Sequence, residues 1–389
     1  MTSMLVRGGR QPSGEATVDV LIAEGRVVSA GRGAVADADR VIDATGLIIA
    51  PGFIELQING AFGHDFTTVP TSMWEVGRRL PEWGVTAFAP TIVSTELTVV
   101  DEARSVAAAG PPAGYRGAAA LGLHVEGPFL APSRAGAHDP GKLRLPSPGL
   151  VAGWSPATGV RIVTLAPELP DAVATVDALV ASDVVVSAGH SEATFDEAMA
   201  GFAAGVTLVT HLFNAMSGFG HRDPGLAAAT LAHPTVVAGL IADGHHVHAG
   251  AIRAATAALG PHRTVLVTDA IAATASDEIG AIGAVPIASA EGAPRTATGV
   301  LAGSLLTLDT AVRRYVDLAT VPQAQAIDAV TSTPASVLRL GDRGRIVAGA
   351  VGDVTLLDDD LRVVATIVAG DVLHGEERLD AEGRVARKE

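Results

Sequence analysis

Val184-Val-Val-Ser-Ala-Gly-His190, then a helical stretch over 194–204, then Thr207-Leu-Val-Thr-His211: this passage carries the pattern that decides the fold. A short apolar run of the kind buried in parallel sheets ends on a polar side chain, a helix follows, and the next run ends the same way. The same rhythm recurs outward in both directions, with runs at 52–57, 87–91, 120–126, 161–167, 236–243 and 264–269 and helical stretches at 72–83 and 249–259. Eight such βα units within about 290 residues predict an α/β protein built on a closed (β/α)8 TIM-type barrel. An open doubly wound sheet would require a glycine-rich phosphate turn after an early strand, and none stands in that context.

The two ends lack this helical rhythm. Short β segments are expected at 18–23, 26–30, 40–43 and 47–50, and again at 344–347, 353–357, 363–368 and 371–374, separated by turns such as Glu24-Gly25. We therefore expect residues 1–50 and 344–389 to meet as a small separate sheet, with 51–343 as the barrel domain.

Composition narrows the chemistry. The 389 residues lack cysteine, which removes disulfides, thiolate metal sites and cysteine nucleophiles. Lys142 and Lys388 are the only lysines, so Schiff-base chemistry has almost no candidates, and the twelve histidines and the carboxylates are left. A net charge of −15 argues against nucleic acid and anionic membranes as partners. The mean hydropathy of +0.36 comes largely from Ala and Val, and the uncharged runs at 198–221 and 224–242 are broken by His211, Asn214, His233 and Pro234. Met1-Thr-Ser-Met-Leu-Val-Arg-Gly-Gly9 has no apolar core of signal-peptide length. The chain reads as a cytoplasmic protein.

In a barrel of this kind the carboxyl ends of the strands carry the active face. Those ends present Gln57, Asn59, Glu126, His190, His211, His246 and Asp269. Glu126, His190 and His211 supply three ligands for one divalent ion and leave a position open for water, as catalytic zinc sites require. Asp269 alone reads equally well as an N-cap for the segment after it; beside a metal it reads as the general base that deprotonates water and later protonates a leaving amine. His246 stands in a turn with three imidazoles, where it is either solvent-facing or a donor to a developing oxyanion.

These residues fall within motifs that resemble a known family. His124-Val-Glu-Gly-Pro-Phe129, Ala188-Gly-His-Ser191, Thr210-His-Leu-Phe-Asn-Ala-Met216, Ile241-Ala-Asp-Gly-His-His-Val247 and Leu266-Val-Thr-Asp269 closely resemble the N-acetylglucosamine-6-phosphate deacetylases of the amidohydrolase superfamily. The likeness runs in order along the chain, through Pro51-Gly-Phe-Ile54 and Leu301-Ala-Gly-Ser304. It implies a barrel with a small β-sandwich made from both termini, a homodimer, Glu126, His190 and His211 as metal ligands, Asp269 as acid/base and His246 at the substrate carbonyl. It further implies substrate contacts from Ala137, His138, Asn214, Ala215, Leu301, Ala302 and Gly303. Arg222, in Gly220-His-Arg-Asp-Pro-Gly225, is either a solvated surface charge or the guanidinium partner of the phosphate.

One departure from the wider superfamily matters. The His-x-His that supplies a second metal site in many members is Gln57-Ile-Asn59 here, and no lysine stands near the end of the fourth run. A single ion is expected, zinc before iron or cobalt. The expected reaction is hydrolysis of N-acetylglucosamine 6-phosphate to glucosamine 6-phosphate and acetate. The galactosamine epimer and a non-catalytic phosphosugar-binding role are the alternatives.

Overall fold

Valine-rich runs bounded by polar ends give eight parallel strands in the computed structural model, which describes residues 3–14, 16–33, 38–277, 280–290 and 292–378. They are β1 (Phe53–Ile58), β2 (Val85–Val93), β3 (Leu123–Glu126), β4 (Val160–Leu165), β5 (Val185–Ala188), β6 (Val206–Val209), β7 (Val237–Leu240) and β8 (Thr264–Leu266). Each is hydrogen-bonded to its sequence neighbours in order, from β1 through to β8. The last gap, between β8 and β1, is closed just beyond the strand ends: Asp269 N donates to Gln57 O (2.9 Å) and Asn59 N donates to Ala270 O (2.8 Å). At this seam a side chain substitutes for backbone pairing, since the buried Glu55 accepts from Gln57 N (2.9 Å) and Thr268 N (3.1 Å). The expected (β/α)8 barrel is therefore present, and Glu126, His190, His211 and Asp269, at the ends of four of its apolar runs, line one mouth.

Apolar side chains fill the space between strands and helices, with Phe53, Phe66 and Phe88 wholly buried; each large side chain of this kind stabilises the fold by about 1.5–3 kcal/mol. The helix Phe195–Ala204 starts at a capping box, in which Thr194 Oγ1 accepts from Glu197 N and Glu197 Oε2 accepts from Thr194 N. Within the interior, just below the mouth, a chain of polar side chains links four strands. His124 Nδ1 bonds Leu56 O (2.9 Å), His124 Nε2 bonds Thr164 Oγ1 (2.7 Å), and Thr164, Thr210 and Ser187 continue it at 2.7 and 2.6 Å.

The chain ends build a separate mixed sheet with its own apolar core. Its strand order is Asp371–His374, Val363–Val368, Val354–Leu357, Ile48–Pro51, Ser3–Arg10, Thr17–Ala23 and Arg26–Gly31, with Arg40–Asp43 also beside Ser3–Arg10. The two ends interlock where Val354–Leu357 runs antiparallel to Ile48–Pro51. Residues 379–389 of the expected terminal domain, including Lys388, lie outside the described residues.

Three local expectations change. Ser3–Arg10 is a strand despite its Gly8-Gly9 pair, because a register shift there absorbs the glycines and Gly9 packs against Ile49. Residues 344–347 are not a strand: Gly344 turns with φ +74° directly against Thr331 O, leaving no room for a side chain. Between β8 and the helix Leu308–Ala319 the chain also inserts a small antiparallel sheet of Ala281–Ile282, Val285–Ala290 and Ala293–Thr296, anchored where Gly283 N donates to Asp65 Oδ2 (2.9 Å). No helix among the described residues is long and apolar enough to cross a membrane.

Candidate active site

At the carboxyl mouth of the barrel lies a cavity of about 520 Å³. It is lined by Glu126 from the end of β3, by His190, His211 and Asp269 just beyond β5, β6 and β8, and by His246 after β7. The backbone marks the same positions. His190, His211 and Asp269 have φ of +49°, +29° and +50°, a region that non-glycine residues occupy at a cost and that clusters at functional sites.

Glu126, His190 and His211 converge closely. Glu126 Oε1 lies 3.0 Å from His211 Nε2 and 3.3 Å from His190 Nε2, and the two Nε2 atoms are 3.0 Å apart. His190 Nδ1 donates to Arg134 O (2.8 Å), which turns the Nε2 lone pair of the neutral ring inward toward the other two. Two imidazole nitrogens and a carboxylate oxygen facing one another, all buried, form a donor set that a divalent cation fits. Burial works to raise the pKa of Glu126, but the close approach of the two imidazoles, His190 first and then His211, outweighs it and holds the carboxyl well below its usual range. Burial opposes the charged form of His211 as well, and there the hydrogen bond to Glu126 prevails and raises the pKa.

A second three-residue grouping, Glu126, His138 and His190, has ligand atoms within 4.8 Å of one another. Its hydrogen bonding distinguishes His138 from the others. His138 Nδ1 accepts the backbone N–H of Ser94 (3.1 Å) and bonds Ser94 Oγ (2.8 Å), so in the neutral ring Nε2 carries the proton and is a donor rather than a ligand. Burial, followed by the neighbouring His190, depresses this imidazole to about 3, which keeps it neutral.

Asp269 stands on the opposite wall, beside β1. Asn59 Nδ2 donates to Asp269 Oδ1 (2.7 Å), and Gln57 Nε2 donates to both Glu126 Oε1 (3.0 Å) and Asp269 Oδ1 (3.3 Å). The amides of Gln57 and Asn59 thus hold the carboxylates in place. Burial, then the charge of Glu126, pushes Asp269 up to about 6. Gly303 (φ +61°) brings the next loop so close that a Cβ there would lie 2.8 Å from Asp269 O. Two buried polar atoms of this site, Asn59 Oδ1 and His211 Nδ1, have no partner among the described residues.

Ala137, His138, Asn214, Ala215, Leu301 and Gly303 line the same cavity, as their sequence positions lead one to expect. Two expected contacts do not. Ala302 is wholly buried behind the wall, packed with Val93, Ile271 and Ile282. Arg222 is exposed and lines an adjoining depression with Glu192, Asp196 and Asp223, because the 217–225 loop turns away there with Gly220 N donating to Asp223 O (3.1 Å). The guanidinium groups that reach the main cavity are Arg134, which is paired with Glu192, and Arg295. Sequence reading missed both, although Arg134 lies between Glu126 and His138 in the very loop it assigned to the substrate. It also missed Asp243, whose carboxylate bonds His246 Nδ1 at 2.6 Å and which stands within the Asp-Gly-His-His turn.

Residues 48–373 match the model of the Amidohydrolase family. The chain is 37% identical over 362 residues to N-acetylglucosamine-6-phosphate deacetylase of Bos taurus, an alignment spanning 86% of each protein. It is 34% identical over 343 residues to N-acetylgalactosamine-6-phosphate deacetylase of Shewanella sp. (strain ANA-3), spanning 86% of this chain and 85% of that one. Among solved structures it resembles an aspartate-to-alanine mutant of N-acetyl-D-glucosamine-6-phosphate deacetylase from Mycobacterium smegmatis in complex with N-acetyl-D-glucosamine-6-phosphate. That likeness has a TM-score of 0.86 at 32% identity and covers 96% of this chain and 99% of the other.

Proposed function

The chain belongs to the amidohydrolase family, and from that premise we propose that it removes the acetyl group from N-acetylglucosamine 6-phosphate, giving glucosamine 6-phosphate and acetate. The observation that carries this reading is the convergence of Glu126, His190 and His211 in one cavity with the buried carboxylate Asp269, joined to Glu126 through a single amide of Gln57.

Glu126, His190 and His211 would hold one divalent ion, which when bound supplies Lewis-acid polarisation and a more acidic water. Zinc is our assignment, and iron(II) or cobalt(II) suits the same donors. Asp269 takes a proton from the attacking water as the new C–O bond forms at the acetyl carbon. His246 donates to the carbonyl oxygen as negative charge develops there. Asp269 then returns its proton to the nitrogen as the C–N bond breaks, so one water is consumed and an amine and acetate leave. We assign His138, an Nε2–H donor, and Asn214 to the sugar phosphate, and the backbone of Ala215 with Leu301 and Gly303 to the wall around the sugar, a reading supported by their lining the same cavity.

Arg222 has to reach the phosphate from outside this cavity. We assign it to a homodimer in which the 217–225 loop of one copy completes the site of the other; Phe219, 66% exposed in that loop, is a side chain such a contact would cover. We place the enzyme in the cytoplasm, where phosphosugars are kept, and divide it into a barrel of residues 51–343 and a small domain of 1–50 with 344–389.

The test is acetate release from N-acetylglucosamine 6-phosphate and from its galactosamine epimer, with metal analysis of the same preparation. We expect release from the first substrate with one ion per chain. The Shewanella relative makes the epimer the second reading, and faster release from it would transfer the assignment. Metal bound without release from either sugar would favour a binding protein, a role for which Asp269 has no use.

A further inference from the structure

Two of the cavity histidines are held in opposite senses. His138 receives a backbone N–H at Nδ1 and so presents Nε2–H to the cavity while neutral. His246 does the reverse. Its Nδ1 lies 2.6 Å from Asp243 Oδ2, an atom that can only accept, while Asp243 Oδ1 takes the backbone N–H groups of His245 and His246, both at 2.8 Å. Both side chains are buried, with His246 4% and Asp243 9% exposed. Arg314, on the helix Leu308–Ala319, bonds the backbone carbonyl of Asp243 rather than its carboxylate, so among the described residues the imidazole is the one side chain that the carboxylate meets.

This geometry has a chemical consequence. With Nδ1–H committed to Asp243, a neutral His246 turns a lone pair toward the cavity, and a lone pair cannot polarise a carbonyl. Only the imidazolium places an N–H there. We propose that Asp243 is a positioning residue: it fixes His246 with Nδ1 protonated and stabilises the imidazolium whose Nε2–H donates to the scissile carbonyl oxygen. The inference rests on the deacetylase reading above and deepens it, since the hydrolysis then needs one charged and one neutral imidazole in the same cavity. No proton is consumed: the Nε2–H is shared with the oxygen as the C–O bond forms and stays on the ring when the C–N bond breaks. The other charged and titratable groups around His246 are His245 and His248 on its own segment, Arg314 behind Asp243, and Glu126, Arg134, His138, His190, His211, Asp269 and Arg295 along the cavity walls.

The experiment compares the metal-loaded wild type with Asp243→Asn, Asp243→Glu and His246→Gln. ¹⁵N NMR of the histidine side chains is recorded alongside the pH profile of kcat/KM for N-acetylglucosamine 6-phosphate. The signals lost in His246→Gln identify that ring. We expect it to carry a proton on Nδ1 at every pH in wild type. In Asp243→Asn the basic limb of activity should move down by at least about one pH unit, with kcat about tenfold or more lower, KM little changed and metal content unchanged. Asp243→Glu should retain the wild-type limb. Should Asp243→Asn fail to fold, His246→Gln still decides, because the basic limb must vanish with the ring. A neutral His246 protonated on Nε2 in wild type, or a basic limb that stays in place in Asp243→Asn, overturns the inference. A wild type that releases no acetate defeats the deacetylase reading instead, and the NMR result on Nδ1 then still decides the role of Asp243.

Discussion

Two walls of the same barrel mouth solve different problems with similar means. On the wall made by β3, β5 and β6, Glu126, His190 and His211 turn acceptor atoms toward one point, within 3.3 Å of each other. On the wall made by β1, Gln57 and Asn59 turn donors, and each amide nitrogen ends on a carboxylate of the reaction centre. The difference teaches that Gln57 and Asn59 serve this site as hydrogen-bond donors to its carboxylates. Asn59 holds Asp269 at 2.7 Å, and Gln57 ties it to Glu126.

Substitutions can break or sharpen this contrast. The largest effect should come from the acceptor wall: Glu126→Gln is expected to leave no bound ion after gel filtration and no acetate release, and a variant that keeps one ion per chain would show that this wall is not the ligand set. Asp269→Asn should lower kcat by about 10³-fold while the ion stays, since general acid–base groups contribute factors of this order; near-normal turnover would remove Asp269 from the chemistry. On the donor wall, Asn59→Ala should cost about tenfold in kcat with unchanged metal content, because it removes one charge-assisted hydrogen bond from Asp269. A drop in metal stoichiometry instead would put Asn59 among the ligands.

The smallest effect is a stability slope. His138 is buried neutral with its pKa depressed from the usual 6.5 to about 3, so the unfolded chain binds a proton that the native one refuses. Its contribution is complete above about pH 6.5 and is lost as the pH falls toward 3, at about 1 kcal/mol per pH unit. Denaturant unfolding at pH 6 and pH 5 should show that slope for wild type and a flatter one for His138→Gln.

Much of this was legible in the sequence, and for a physical reason. Buried parallel strands are mostly apolar, so a polar residue that ends such a run advertises the mouth of a barrel; Glu126, His190, His211 and Asp269 are all legible this way. What stayed hidden depends on which way a loop turns. Arg222 and Arg134 both stand in loops beyond ligand-bearing strands, yet only Arg134 lines the cavity, because the 217–225 loop doubles back on its own backbone. Ala302 shares a segment with two wall residues and faces the other way. Asp243 was quoted as part of a turn, and nothing in the spacing announces that its carboxylate meets the imidazole three residues on. The strand Ser3–Arg10 was obscured by glycines that a bulge accommodates.

The interlocked terminal sheet sets the order in which the molecule can be made. Ile48–Pro51 finds its antiparallel neighbour in Val354–Leu357, and Thr355 and Thr366 further tie that late segment to the carbonyls of Gly84 and Pro81. On the ribosome, Ile48–Pro51 therefore waits through some three hundred residues of synthesis for the neighbour on its second edge, while the other early strands pair among themselves. Contacts so remote in sequence slow folding and leave strand edges open in the meantime. Val354–Leu357 acts as a latch on that edge. A nascent chain cut short before residue 354 would carry every residue of the reaction centre with one edge of Ile48–Pro51 left open.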